Sequence, residues 1–412
     1  MSLDPAAQTR PRVQATTLMI ALLASLCALG QFATNIYLPS LPAIRDEFLS
    51  TDGMAQLTLT AYLIGFAVTQ LFYGPITDRY GRKPLLIFGV ALFVAASAVC
   101  TFAPTMELLV TGRVLQALGA AASLVVARAV VRDSFEGSDL HRVMSLISIF
   151  FALVPGLSPF LGGILEETVG WRWIFGLTGG VGVAVFVWML AQLPETLANP
   201  LPRLNVGSLV SGYRYVLGVR PFMCYALANF FIFAAMFAFF GGSPKVYIEI
   251  LGVSPTEYGL YPPLSTIGFV IGGIFVRKNI DRLGPAGICR IGMAVLIAAV
   301  VIMVGLPLVG IVHKHGFNGA MILFVSGIGI FLPTAMACAL QIFPERAGTA
   351  SAMMGFLQMA GASAGSATTG MLLAWNPVLA FPVVMLVSVL IAAAVFFGLR
   401  ETEAATAGAH LS

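Results

Sequence analysis

The sequence predicts an all-α polytopic membrane protein with twelve transmembrane helices in two six-helix bundles related by a pseudo-two-fold axis. Its composition, its span count and an internal echo point to that class. Of the 412 residues, 58% are hydrophobic and 10% charged, with a mean hydropathy of +0.94; so few charges do not keep a chain of this size soluble. Twelve apolar stretches centre near residues 27, 66, 94, 118, 155, 182, 232, 267, 297, 330, 360 and 389, and each approaches the roughly 20 residues needed to cross a hydrocarbon core. Residues 74–84, GPITDRYGRKP, return in worn form at 276–285 as VRKNIDRLGP, so that Asp78-Arg79 and Asp281-Arg282 stand 203 positions apart. That offset is about half the chain, which makes the repeat unit about six spans.

Three segments follow from this pattern: a first bundle over 1–193, a linker over 194–221 and a second bundle with its tail over 222–412. The tail before the first span carries Arg10 and Arg12, but the apolar run after it continues to about Leu38 without a small-residue cleavage pattern. It reads as a retained span and not a signal peptide. With both termini inside, 17 of the 22 Lys and Arg fall on the cytoplasmic side, only Arg45, Arg172, Lys245 and Lys314 fall outside, and Arg113 lies in a span. Positive charge is retained on the cytoplasmic side, so this orientation is the expected one. The net charge of +4 is then a topology signal and not a nucleic-acid footprint. The five cysteines have apolar surroundings and no ligand spacing, which predicts free thiols and no metal site; no cofactor is expected.

Several residues carry chemistry independently of any resemblance. Gly74 and Gly81 suit a tight turn and close helix approach, while Asp78, Arg79, Arg82 and Lys83 supply charges able to latch the halves. Arg82 is expected to pair with Asp133, and Asp78 to face the start of span eleven near 348–351, where a helix N-terminus favours an anion. Asp281 and Arg282 are their counterparts in the second half. Span five packs Pro155, Gly156, Pro159, Gly162 and Gly163 into nine residues, a pliable helix whose freed carbonyls neighbours can satisfy; the seam between the halves is its expected place. Arg113 is a fixed cation inside a span, which costs at least about 2.5 kcal/mol and is expected to face a water-filled cavity, with Gln116 extending the polar face. Gln31, Gln358 and a span-seven stripe of Asn229, Phe230, Phe233 and Phe237 complete the expected cavity wall. Tyr37, Tyr247, Tyr258, Tyr261, Trp171 and Trp173 fall near span ends, where aromatic anchoring at the interface accounts for them.

Strings along the whole chain resemble the major facilitator superfamily and, within it, the Bcr/CflA group of twelve-span drug:proton antiporters. They are YLPSLPAI at 37–44, GPITDRYGRKP at 74–84, GRVLQALGAA at 112–121, LSPFLGG at 157–163, GWRWIF at 170–175, LPET at 193–196 and GGSPKVYIEILGVSP at 241–255. The resemblance implies the major facilitator fold, alternating access in an inner membrane, and a small-molecule drug and protons as partners; a monomer is expected because the site would form within one chain. In span five, Ser158 stands where the group's pattern has Gly before Pro159. The group also carries an Asp before its YLP turn, expected to exchange protons with substrate alongside Arg113; here that position is Asn35. Three readings of Asn35 stay open: a native residue in a uniporter or in a carrier coupled through Asp46, Glu107 or Glu257; a replacement mimicking the protonated acid; or a substrate that brings its own proton.

Arg113 without a buried acid opposes a lipophilic cation in a low-dielectric site, which favours neutral, zwitterionic or anionic amphipaths of the phenicol type. The chain has no HExxH, no Gly-x-Ser-x-Gly, no paired buried carboxylates and no GxxxxGK[ST] loop, so catalysis and ATP-driven transport have no visible machinery. A carrier for uptake of sugars, polyols or nucleosides is the alternative; the span-five cluster and an aromatic cavity favour export.

Overall fold

The computed structural model describes residues 16–135, 137–197, 200 and 206–409. The helices, in chain order, are α1 (Thr17–Asn35), α2 (Leu41–Glu47), α3 (Asp52–Tyr80), α4 (Arg82–Thr101), α5 (Met106–Ser134), α6 (Gly137–Thr168), α7 (Trp171–Gln192), α8 (Val206–Leu217), α9 (Arg220–Pro244), α10 (Pro255–Leu308), α11 (Lys314–Gln341), α12 (Ala347–Leu372) and α13 (Pro377–Ala409). All twelve expected span centres fall inside helices. Among the described residues, nine helical runs are individually long and apolar enough to cross a bilayer; α10 contains two crossings, and α6 and α12 supply the others. Short α2 continues the first span, and α8 lies in the linker between α7 and α9.

Helix starts follow local chemistry. Thr16, Thr51, Thr105 and Ser254 each accept the amide three residues on, satisfying a donor that the first turn leaves free. Where span two meets span three, Gly81 turns the chain with φ 101°; at the equivalent place Gly284 bends α10 with φ 65°. Both lie in the region that disfavours a Cβ. They are 203 positions apart, so the two halves repeat a backbone turn as well as a string of letters.

Helices α1–α7 form one bundle and α9–α13 the other. Each span crosses between a termini end, where the chain enters and leaves, and a far end. The halves meet where α3 packs on α12 and α6 packs on α10. Small residues allow the α6–α10 approach: a Cβ on Gly163 would overlap the Pro255 carbonyl and one on Gly259 would sit 2.5 Å from the Pro159 oxygen, while one on Gly162 would overlap the Ile36 carbonyl oxygen within the first half. Span five therefore occupies the seam. Gly74 does not share this role: it is inside α3 with open space where a Cβ would stand, so it makes neither a turn nor a close approach.

The aromatic residues near span ends depart from interfacial anchoring. Tyr37, Tyr247, Tyr258, Tyr261 and Trp171 are all buried, and only Trp173 is exposed. Tyr247 packs against Tyr258, Tyr261, Phe239 and Phe317 inside the second half. The reason is physical: lipid and protein interior are equally apolar, so an apolar ring near a span end has no solvent signal telling which of the two it meets. Cys27, Cys100, Cys224 and Cys289 are buried and Cys338 is half-buried, and among the described residues none is in a disulfide.

Candidate functional site

A narrow cavity lies between the halves, lined by Gly30, Gln31 and Thr34 of α1, Tyr62, Leu63 and Phe66 of α3, Phe237 of α9 and Met359 of α12. No lining residue carries a charge. Of the wall expected from the sequence, Gln31 and Phe237 line it, and half-buried Phe233 stacks on Phe237 at 6.4 Å. In α12 it is Met359 that reaches the cavity, and not its neighbour Gln358. Phe230 offers its backbone oxygen to the close approach of Gly361. Asn229 is buried with its Oδ1 unpartnered. Tyr62 and Phe66, which the sequence alone did not single out, stack at 6.1 Å, and the Tyr62 hydroxyl donates to the Gly30 carbonyl at 3.0 Å. Their i, i+4 spacing in span two was the available signal, but a lone aromatic pair is commonplace in any span.

Arg113 sits behind that wall, not on it. It is 0% exposed, which corrects the expectation of a water-filled surrounding. Its guanidinium lies 4.2 Å from the ring centres of both Tyr37 and Tyr62 and 5.6 Å from that of Phe175, so aromatic faces replace water around the cation. Nη1 donates to the Ala33 carbonyl at 3.1 Å and to Gln116 Oε1 at 2.5 Å, and Gln116 donates on to Ser97 at 2.8 Å. Among the described residues, Nε and Nη2 have no hydrogen-bond partner. Asn35, two residues beyond Ala33, is buried, donates to the Gln31 carbonyl at 2.8 Å and has an unpartnered Oδ1. Tyr37 thus acts on Arg113 through its ring, while its hydroxyl stands 3.4 Å from Thr58 Oγ1.

At the termini end, charges pair within the first half. Arg82, buried at the start of α4, donates to Asp133 at 2.8 Å and to Asp78 at 2.5 Å. The pairing of Arg82 with Asp133 is the one its motif led us to expect. Asp78 turns to Arg82 and not to α12, and its side chain stays half exposed; a Cβ on Gly348 would meet nothing within 4 Å. The i, i+4 spacing explains this, because Arg82 is within reach in the same turn whereas α12 is not. Arg79 lies over the Tyr80 ring at 5.2 Å. Glu195 of the LPET string was missed: its carboxylate accepts the amides of Arg82, Lys83, Thr196 and Leu197 at 2.9–3.0 Å, an anion at the start of α4. Nothing in the sequence links it to residues 113 positions earlier. Asp281 and Arg282, the worn copies, are exposed on α10.

At the far end, charges pair across the halves. Arg45 reaches Asp52 at 2.8 Å within the first half and Glu249 of the second at 2.8 Å, and Lys245 of the second half pairs with Asp52. Below them Gln56 donates to Ser366 at 2.8 Å, Thr60 lies 3.0 Å from the same hydroxyl, and Ser363 donates to the Thr60 carbonyl at 3.3 Å. Along the α6 seam Glu167 accepts the amide and hydroxyl of Thr256 at 3.0 and 2.7 Å. Its neighbour Glu166 faces the first half beside Ser40 and Glu47, with one buried carboxylate oxygen left unpartnered. The three peripheral acids considered earlier are placed otherwise: Asp46 pairs with Arg45, Glu257 with Lys314, and Glu107 is exposed.

Two helical bundles with a central uncharged cavity, shut at one end by cross-half charges, define a membrane carrier of the two-bundle class. The family model of the Major Facilitator Superfamily matches residues 21–366, and the chain belongs to that family. It is 31% identical to the uncharacterized MFS-type transporter YdgK of Bacillus subtilis, over 92% of this chain and 94% of that protein. Similarity extends to the multidrug resistance protein D of Escherichia coli, 28% over 86% and 89%, and to the chloramphenicol resistance protein of Pseudomonas aeruginosa, 30% over 84% and 81%. Among solved structures, a bacterial homologue of the lysosomal transporter Spinster in an inward-facing, unoccupied conformation superposes with a TM-score of 0.76 at 16% identity, covering 93% of this chain and 96% of that one. The chain is thus a multi-pass membrane protein of a transporter family.

Proposed function

We propose that the chain exports small amphipathic molecules, neutral or zwitterionic antibiotics of the phenicol type among them, across a bacterial inner membrane by alternating access in exchange for protons. The observation that carries this reading is the central cavity: two polar residues of α1, aromatic rings from both halves and no charge, a wall suited to a neutral amphipath. Relatives named for multidrug and chloramphenicol resistance support the substrate class. The termini end is cytoplasmic on the positive-charge count, which makes the far end periplasmic. The cavity forms within one chain, which supports a monomer, and the ligands are the drug and protons within a lipid bilayer, with no nucleic acid.

Position 35 is amide and not acid, so in this reading coupling runs through another carboxyl. Glu166 is the candidate: it lies in the pliable α6, at the seam that opens, with a buried oxygen lacking a donor. An unpaired carboxylate is costly to bury, so Glu166 takes up a proton as the far end shuts and gives it up when water returns. Arg113 then holds Tyr37 and Tyr62 in place behind the drug, as a positioning residue.

The test is chloramphenicol-dependent proton movement in proteoliposomes under an imposed pH gradient, comparing this chain with Glu166→Gln and Asn35→Asp. Drug-dependent proton flux in the unmodified chain, lost in Glu166→Gln with drug binding retained, is the expected result. Coupling gained only in Asn35→Asp returns the proton site to position 35. Drug movement without proton flux in all three makes the chain a facilitative carrier.

A further inference from the structure

The linker helix α8 meets both halves through contacts that the transport reading does not use. Pro75 lies inside α3 and has no amide hydrogen, so the carbonyl one turn before it, that of Leu71, lacks its helical donor. A carbonyl deprived of its donor in a bilayer protein requires another. The Tyr213 hydroxyl of α8 donates to it at 2.8 Å. Burial pushes the Tyr213 phenol up to about 12, so it remains a donor throughout the physiological pH range. Two residues further on, the Tyr215 ring packs against Phe343 at 5.8 Å and lies under the Arg346 guanidinium at 4.7 Å. Val216, fully buried, joins Phe222, Met353 and Met354 in a separate apolar cluster of the second half. One turn of α8 therefore holds α3 with one side chain and the α11–α12 corner with the next two.

We infer that α8 is a strap tying the two halves together at the termini end, and that Pro75 supplies its docking point by freeing the Leu71 carbonyl. The proline and the tyrosine are one device divided between a span and the linker: the first removes a donor and the second replaces it. A hydroxyl docked on a single carbonyl is released more readily than a packed apolar face. The strap therefore gives way on the α3 side and stays with the second half when the ends move apart.

This separates Tyr213 from an ordinary surface tyrosine by a double-mutant cycle read by amide hydrogen exchange of the detergent-solubilised full chain. Tyr213→Phe keeps the ring and removes the donor, and is expected to speed exchange over 206–217 roughly three- to tenfold, the scale of one lost hydrogen bond. Pro75→Ala restores an amide to the Leu71 carbonyl; exchange over α8 then rises without touching α8 itself, and adding Tyr213→Phe changes it by less than about twofold. Protection at α8 unchanged in Tyr213→Phe, or an equal effect with and without Pro75, overturns the proposal. Exchange over 52–60 in α3, remote from the strap, should not change in any variant, which guards against general unfolding. Neither drug nor gradient enters the experiment, so its failure is distinct from a failure of the export reading.

Discussion

The two ends of the molecule use similar charges in opposite ways. At the termini end Asp78, Arg82, Asp133 and Glu195 all belong to the first half, so they stiffen one rigid body and do not hold it to the other. At the far end Arg45 and Asp52 of the first half bind Glu249 and Lys245 of the second, so every opening of that end must break them. The far end is therefore the barrier in this conformation, and the termini-end cluster sets the shape of the piece that moves. An ion pair contributes to a conformational equilibrium only when its partners separate in the change.

The sharpest way to break this contrast is at the seam. Gly163→Ala places a methyl group on the Pro255 carbonyl of the other half, which packing cannot absorb. Transport is expected to be abolished, and a cysteine placed at exposed Ala374 on the far-end loop should become permanently reactive to a membrane-impermeant maleimide. Unchanged transport would show that α6 does not close against α10. Next comes Arg45→Ala, which removes the hub of the cross-half pairs. These side chains are 18–28% exposed, and solvent weakens the pairs, so labelling at the same site should rise roughly tenfold, with the rise shrinking in 1 M salt. A rise unaffected by salt would point to lost packing instead.

Glu195→Gln should act on stability and not on opening. It leaves one oxygen where a carboxylate served four amides, costing roughly 1–2 kcal/mol at the start of α4, visible as a lower thermal midpoint with far-end labelling unchanged. Asp78→Asn is the smallest change: an i, i+4 pair of a half-exposed carboxylate is worth roughly 0.3–0.5 kcal/mol. Turnover should fall by a small factor with drug binding intact. A binding defect in that variant would contradict a role confined to the moving body, and a large gain in far-end labelling would erase the contrast between the ends.

Much of the fold was legible in the sequence because bilayer thickness fixes span length and the half-length echo fixes the division. The pairing of Arg82 with Asp133 and the place of span five followed from charge and small-residue content. The surroundings of Arg113 did not. Tyr37 comes from the turn after α1, Tyr62 from α3 and Phe175 from α7, and an apolar ring reads the same whether it faces lipid, a cavity or a guanidinium. Glu195 was hidden for another reason: its partners are backbone amides, which leave no mark on residue type. Asp78 was misdirected because a local partner four residues away outcompeted a distant helix end.

The turns at Gly81 and Gly284 show which part of the internal repeat the two halves share. Both keep a positive φ at the same register of the repeat, while the ion cluster beside Gly81 has no buried counterpart beside Gly284, where Asp281 and Arg282 lie in the open. Steric necessity acts on each copy separately, since a side chain at either turn meets the same strain whatever its partner half does. Charge pairing is free to drift once one copy suffices. Between the two halves, backbone handedness is therefore the more durable mark of the repeat, kept where its acids and bases lie in the open.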